Sequence, residues 1–333
     1  MKLATLNNGT RDGQLIVVSR DLQRAVAAAP IAPTMQAAIE RWAELEPLLR
    51  ERYDALNAGQ LDSFAFDPAA ASAPFPRAYQ FVDASAFLNH GDIMERAYNL
   101  TVKKTPGVPI LIQRQGDAFL GPCDDYPFPT EADNADFEGE FVAVLDDVPM
   151  GTSAADALGH VKLLMILNDM SMRAHLFREL SMGFGFIQAK PATAFSPVAV
   201  TPDELGEAWA DGRVALDLRV SRNGEWFGNP NGREMDFGFG ELVAHLAYNR
   251  QLGAGTVIGS GTVSNRDYRE VGSACLAERR AVEMIDSGES RTPFLAFGER
   301  LRFEVLDRQG NSVFGAIDHR MVRAGATEAA CIS

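Results

Sequence analysis

The chain has 333 residues, 46% of them hydrophobic and 23% charged, and a formal net charge of −14. That size and balance suit one large folded domain with a smaller companion and exclude a disordered or fibrous protein. The acidic surface argues against nucleic acid and anionic lipid as partners, and no apolar run is long enough to cross a bilayer. Asn7-Asn8-Gly9 interrupts the start before a signal-peptide core builds up, so a cytoplasmic location is expected.

In chain order, residues 1–18 predict two short strands, separated by turn residues at Asn7-Asn8-Gly9 and Asp12-Gly13. Met35, Ile39, Trp42, Leu45, Leu49 and Leu56 then recur at helical steps, which predicts one buried helix face. Thr34 is placed to cap its start, Pro47 to kink it or begin a second helix, and Ala58-Gly59 to end it. Residues 64–77, with prolines at 68, 74 and 76, read as a linker. The expected division is therefore a small N-terminal domain over 1–75, a catalytic domain over 76–325 and a tail over 326–333.

Beyond the linker the pattern is mostly strands. Residues 137–145, 214–220 and 301–305 alternate. Ser221-Arg222-Asn223-Gly224 reads as a hairpin turn into Glu225-Trp226-Phe227, and residues 307–311 as another turn. Helices are expected over 236–250 and near 154–158. Irregularly spaced strands with few helices give an α+β, β-rich fold with antiparallel or mixed sheets, not a repeating βα fold. Cys123, Cys275 and Cys331 are odd in number and far apart, so neither a disulfide framework nor a Cys-x-x-Cys metal site is expected.

The chemistry is in the acids. On a strand, Glu138 and Glu140 share a face with Val142 and Val144. Two carboxylates leading into an apolar stripe repel each other and resist burial unless a cation joins them; otherwise they form a solvent-facing strand end. Leu163-Leu164-Met165-Ile166-Leu167 runs into Asn168-Asp169, which places Asp169 either at the rim of the core or as the cap of a helix starting at Ser171. Asp83 and His90 bring an acid and an imidazole into one stretch, where His90 alone reads as a surface or hydrogen-bonded histidine and not a catalytic base. Together Asp83, Glu138, Glu140 and Asp169 offer four hard oxygen donors. Such a set suits Mg²⁺ or Ca²⁺, with Mn²⁺ as a further candidate, and not zinc. There is no Gly-x-Ser-x-Gly, and Gly253-Ala254-Gly255 lacks the dinucleotide spacing, so neither a serine hydrolase nor a nicotinamide enzyme is expected.

Phe137-Glu138-Gly139-Glu140-Phe141, Asn168-Asp169-Met170-Ser171-Met172-Arg173, Gln188-Ala189-Lys190-Pro191 and Gly259-Ser260-Gly261-Thr262-Val263-Ser264 follow one another in that order. The set resembles the catalytic domain of the fumarylacetoacetate hydrolase family over about residues 78–325, including its acid-to-histidine spacing from Asp83 to His90. The resemblance implies a mixed β-roll or sandwich and a homodimer, with a carboxylate-bound Mg²⁺ or Ca²⁺ and a small keto-acid substrate cleaved at a carbon–carbon bond. It implies Asp83, Glu138, Glu140 and Asp169 as metal ligands, His90 as general base, Lys190 beside the substrate oxyanion and Thr262 near the substrate carboxylate. Glu278 is the chosen acid to orient His90, with Glu270 as second choice, and Arg96 stands for the substrate-binding arginine. Ser85 replaces a substrate-contacting tyrosine of the animal enzymes, Leu176 or His175 replaces a glutamine, and Gln113-Arg114-Gln115 stands where an aromatic is expected. The first 75 residues do not match the small barrel of the animal enzymes. A charged Lys190 beside a metal needs an anion between them, and the substrate is expected to supply it.

Overall fold

The protein is described from a computed structural model covering residues 1–99 and 104–325. Cys331 and the expected tail lie outside the described residues. Strands dominate, and most of them belong to two sheets.

The larger sheet runs in the order Phe64–Ala65, Arg24–Ala27, Gln14–Val18, Lys2–Leu6, Val198–Val200, Val161–Asn168, Gly139–Leu145, Val257–Gly259, Phe81–Ala84, Leu111–Arg114. The N-terminal strands thus continue the same sheet that holds the acids, because Lys2–Leu6 pairs antiparallel with Val198–Val200. The expected linker over 64–77 is stitched onto this sheet. Phe64–Ala65 pairs with Arg24–Ala27, Ala71–Ser72 pairs with Lys2–Leu6, and Phe75 is buried. Pro68 falls between these two-residue pairings and Pro74 and Pro76 after them, where no ladder N–H is needed.

The smaller sheet contains Glu225–Gly228, Leu218–Arg222, Arg300–Val305, Ile317–Arg323 and Tyr126–Phe128. The expected hairpin is there, with Asn223 (φ 55°) and Gly224 (φ 81°) both left-handed, as a two-residue turn between twisted strands requires. Leu218, Val220, Phe303 and Ile317 of this sheet pack against Phe141, Ala143, Ile166 and Val200 of the larger one. On the other face of the larger sheet, Val142, Val144, Leu163 and Met165 pack with Trp42, Leu45, Leu49 and Leu56 of the N-terminal helices. Gly139–Leu145 is therefore buried on both faces, which is why alternation gives way to a nearly continuous apolar run.

The helices Met35–Ile39 and Trp42–Asn57 bear out the helical spacing. Thr34 Oγ1 accepts the Ala37 N–H at 3.1 Å as a cap. The break falls at Glu40–Arg41, and Pro47 sits inside the second helix. The helix expected over 236–250 is shorter, Phe239–Leu246. Three further helices matter for the site: Leu88–Tyr98 and Leu276–Ser287, which were not foreseen, and Arg173–Met182, which begins two residues after the Ser171 start offered as an alternative.

Candidate functional site

Four neighbouring strands bring the acids together at one end of the larger sheet. Gly259 pairs with Asp83 on one side and with Val142 on the other, and Gly139 pairs with Asn168. Asp83, Glu140 and Asp169, all buried, offer ligand oxygens within 4.8 Å of one another. Asp169 follows immediately after the strand Val161–Asn168 and does not cap the next helix, which begins at Arg173 without a side-chain cap. Instead its carboxylate accepts from Lys190 Nζ at 2.6 Å, Thr193 Oγ1 at 3.1 Å and the guanidinium of Arg114.

Glu138 is not one of the three clustered acids. Its oxygens accept from Ser171 Oγ at 2.8 Å, Arg173 Nη2 at 2.5 Å, Thr262 Oγ1 at 2.9 Å and Lys190 Nζ at 3.1 Å. It is joined to the cluster through Lys190, which bridges Glu138 and Asp169. The anion expected beside Lys190 is therefore already present in the protein: these two carboxylates outweigh burial and keep the lysine protonated.

The electrostatics divide the acids. Burial would push Glu138 and Asp169 up, but Lys190 and Arg173 hold Glu138, and Arg114 and Lys190 hold Asp169, below the usual carboxylate range. Burial, with Asp169 nearby, pushes Asp83 up to about 6. Burial and the two neighbouring acids raise Glu140 well above its ordinary value, and its Oε1 has no partner.

Asp83 holds its proton in the folded chain to about pH 6 and in the unfolded chain only to its ordinary value of 3.8. Between these values the folded state binds more protons, so this contribution to stability is full below about pH 4 and lost as pH rises through about 6. We therefore expect metal-free Asp83→Asn to match the wild type near pH 4 and to gain on it by pH 7. The gain should be on the order of 3 kcal/mol, read from melting curves. A stability difference independent of pH would contradict this.

Glycine shapes the cradle. A Cβ on Gly259 would lie 2.5 Å from Asp83 Oδ1 and 2.8 Å from Glu140 Oε2. Gly261 (φ +79°) donates its N–H to Glu140 Oε2 at 3.0 Å, and a Cβ there would lie 2.4 Å from the Ala84 carbonyl. Gly259→Ala should therefore push the two carboxylates apart and weaken Mn²⁺ binding by at least about tenfold, measured by calorimetric titration. Wild-type affinity would show that the cradle tolerates the methyl group.

His90, which acts electrostatically on Glu138, lies in the first turn of Leu88–Tyr98, and its Nδ1 is 2.8 Å from Glu278 Oε2. Glu278 is wholly buried in the first turn of Leu276–Ser287. Glu270, the second choice, is exposed on another helix. Thr262 is buried on Glu138, and Ser85, half-buried, follows the strand that carries Asp83. Arg96 is not gathered with them. It is exposed in the last turn of the His90 helix, about 9 Å further along its axis, where its charge acts on Asp286.

Sequence reading missed Arg114 and Asp136. Asp136 accepts the N–H groups of Leu276 at 2.7 Å and Ala277 at 3.0 Å, and Arg173 Nε at 2.8 Å, so it holds the helix that carries Glu278. Cys275 is buried beside it, and Cys123 is exposed.

Two family models match the chain: fumarylacetoacetase N-terminal domain 2 over residues 1–77 and fumarylacetoacetate (FAA) hydrolase C-terminal over residues 80–322. The chain belongs to the fumarylacetoacetate hydrolase family. The family match extends to the N-terminal segment, which the resemblance had left out. Among curated relatives, the 2,4-didehydro-3-deoxy-L-rhamnonate hydrolase of Sphingomonas sp. (strain SKA58) is 26% identical over 160 residues, 47% of this chain and 53% of that protein. The chain spans about half the length of the curated relatives it matches. The maleylpyruvate hydrolase of Sphingobium sp. SYK-6, solved with manganese(II) and pyruvate, superposes with a TM-score of 0.65 at 17% identity, covering 97% of this chain and 99% of that one. The fumarylacetoacetate hydrolase of Exiguobacterium antarcticum gives 0.64 at 18% identity over the same shares. These likenesses establish the fold. No described helix is long and apolar enough to cross a membrane.

Proposed function

We propose that this family member is a divalent-metal-dependent hydrolase that cleaves a carbon–carbon bond in a 1,3-diketo acid, with fumarylacetoacetate as the first substrate to test, working as a homodimer. The observations that carry the reading are the buried triad Asp83, Glu140 and Asp169 and the His90–Glu278 pair, whose imidazole acts electrostatically on Glu138.

Three features fit a dication at the triad: an all-oxygen donor set, the unpartnered buried Glu140 Oε1, and a glycine where any side chain would fill the cradle. Charge agrees. Leaving aside the His90–Glu278 pair, Asp83, Asp136, Glu138, Glu140 and Asp169 face Lys190, Arg114 and Arg173. The cluster lacks two positive charges, the charge of one Mg²⁺, Ca²⁺ or Mn²⁺. Asp83, Glu140 and Asp169 would hold the ion, and Glu138 is joined to them through Lys190. When bound, the metal supplies Lewis-acid polarisation of the substrate carbonyl.

The chain's own groups do the rest. Glu278 fixes the His90 ring, so His90 can take a proton from water as that water attacks the carbonyl. Lys190, protonated, donates to the oxygen that gains charge during attack and to the enolate as it leaves. The proton on His90 can then pass to the leaving carbon. Thr262 and Ser85 serve the substrate carboxylate.

The rival reading keeps the same site and changes the substrate: acylpyruvate hydrolysis, oxaloacetate decarboxylation, or isomerisation or hydration of a 2-oxo acid. Ser85, in place of a substrate-contacting tyrosine, and the segment Gln113-Arg114-Gln115, where an aromatic is expected, favour keeping it in view, as does a structural relative whose name is maleylpyruvate hydrolase. A panel of fumarylacetoacetate, acylpyruvates and oxaloacetate, followed by loss of enol absorbance with Mn²⁺ or Mg²⁺ and again with chelator, separates the readings. Chelator-sensitive loss of fumarylacetoacetate supports the proposal. Turnover of an acylpyruvate or of oxaloacetate without fumarylacetoacetate moves the assignment to the rival, and chelator-resistant turnover overturns both.

A further inference from the structure

Asp169 shares its two oxygens unequally. Oδ1 accepts from Arg114 Nε at 3.2 Å, from Arg114 Nη2 and from Thr193 Oγ1, whereas Oδ2 accepts the Lys190 ammonium. The same guanidinium donates to the Lys190 carbonyl at 3.1 Å, the Pro191 carbonyl at 3.3 Å and Thr193 Oγ1 at 3.1 Å. The Arg114 side chain is 1% exposed and lies over the ring of Phe81. It thus ties the end of one strand to the residue after another and to the loop that carries Lys190.

We propose that Arg114 is a positioning residue of the metal centre: it clamps Asp169 Oδ1 to the 190–193 loop, so that Oδ2 is the oxygen offered to a divalent cation and Lys190 is the group that cation displaces. This rests on the metal reading above. The two buried cations then have opposite effects. Lys190 occupies a ligand oxygen and competes with the metal, and its displacement turns the ammonium toward the substrate. Arg114 repels the metal as any charge does, but a planar fork with several fixed acceptors holds the ligand in its binding orientation. Outer partners of this kind are worth about 10–100-fold in metal affinity.

The sign of the effect is the test. Mn²⁺ is titrated into the metal-free chain by calorimetry, with melting temperature recorded for every variant. Lys190→Met should bind Mn²⁺ several-fold more tightly than the wild type. Arg114→Gln should bind about 10–100-fold more weakly, and Arg114→Lys, which keeps the charge and loses the fork, should be weakened too. Thr193→Val breaks the same clamp without touching a charge, and carries the test if the Arg114 variants do not fold; it should also bind more weakly. Wild-type or tighter binding in folded Arg114→Gln, or wild-type binding in Thr193→Val, overturns the clamp and leaves the metal reading standing. A wild-type chain that takes up no Mn²⁺ overturns both.

Discussion

Glu140→Gln is expected to lose divalent-metal binding and with it turnover, by about a thousandfold or more, while its metal-free form melts at a higher temperature than the wild type. Both effects come from one cause. Glu140 is buried against Asp83 and Asp169, with one oxygen unpartnered, so its charge is costly until a cation arrives. Removing that charge should stabilise the empty protein by about 1–3 kcal/mol and deprive the metal of a ligand. A defect of packing would lower both quantities together. Calorimetric titration with Mn²⁺ and melting curves with and without it measure the pair. A metal-free variant less stable than the wild type, with Mn²⁺ affinity intact, would show that Glu140 is a structural acid.

His90→Ala should leave Mn²⁺ affinity within a few-fold of the wild type and reduce kcat/KM on the diketo acid by about 10²–10⁴. His90 is tied to Glu278, not to the triad, and its partner is wholly buried at a helix start. Glu278→Gln keeps a hydrogen bond to the ring but removes the charge that stabilises the imidazolium and fixes its tautomer, so it should lose activity by a comparable factor, up to about 10⁴. Loss of metal binding in His90→Ala would place the imidazole among the ligands. Unchanged turnover would remove it from the mechanism.

Legibility followed the range of the interactions. Two-residue periodicity put Glu138 and Glu140 on one side of a strand, and an apolar run ending in Asp169 put that acid at the rim of the core; both are properties of one segment. What divides Glu138 from Glu140 is not local. Arg173 and Lys190 claim Glu138, while Glu140 meets Asp83 on a strand from another part of the chain. The pairing of His90 with Glu278 spans 188 residues, so it came from family resemblance and not from pattern. The helix bearing His90 was missed because Ile93 is its one buried residue, which leaves little periodic signal. Leu276–Ser287 ends at a left-handed Gly288, a stop signal that was there to be read. Arg114 carried no signal: an arginine ending a four-residue strand looks like an edge charge until the fold closes over it.

The most direct measurement is a crystal of the metal-free protein soaked in Mn²⁺ and recorded at the manganese absorption edge. The account predicts one strong anomalous peak per chain, within about 2.0–2.6 Å of carboxylate oxygens from Asp83, Glu140 and Asp169, with the Lys190 ammonium moved off Asp169. No peak among these three acids, or ordered manganese at other residues only, would contradict it.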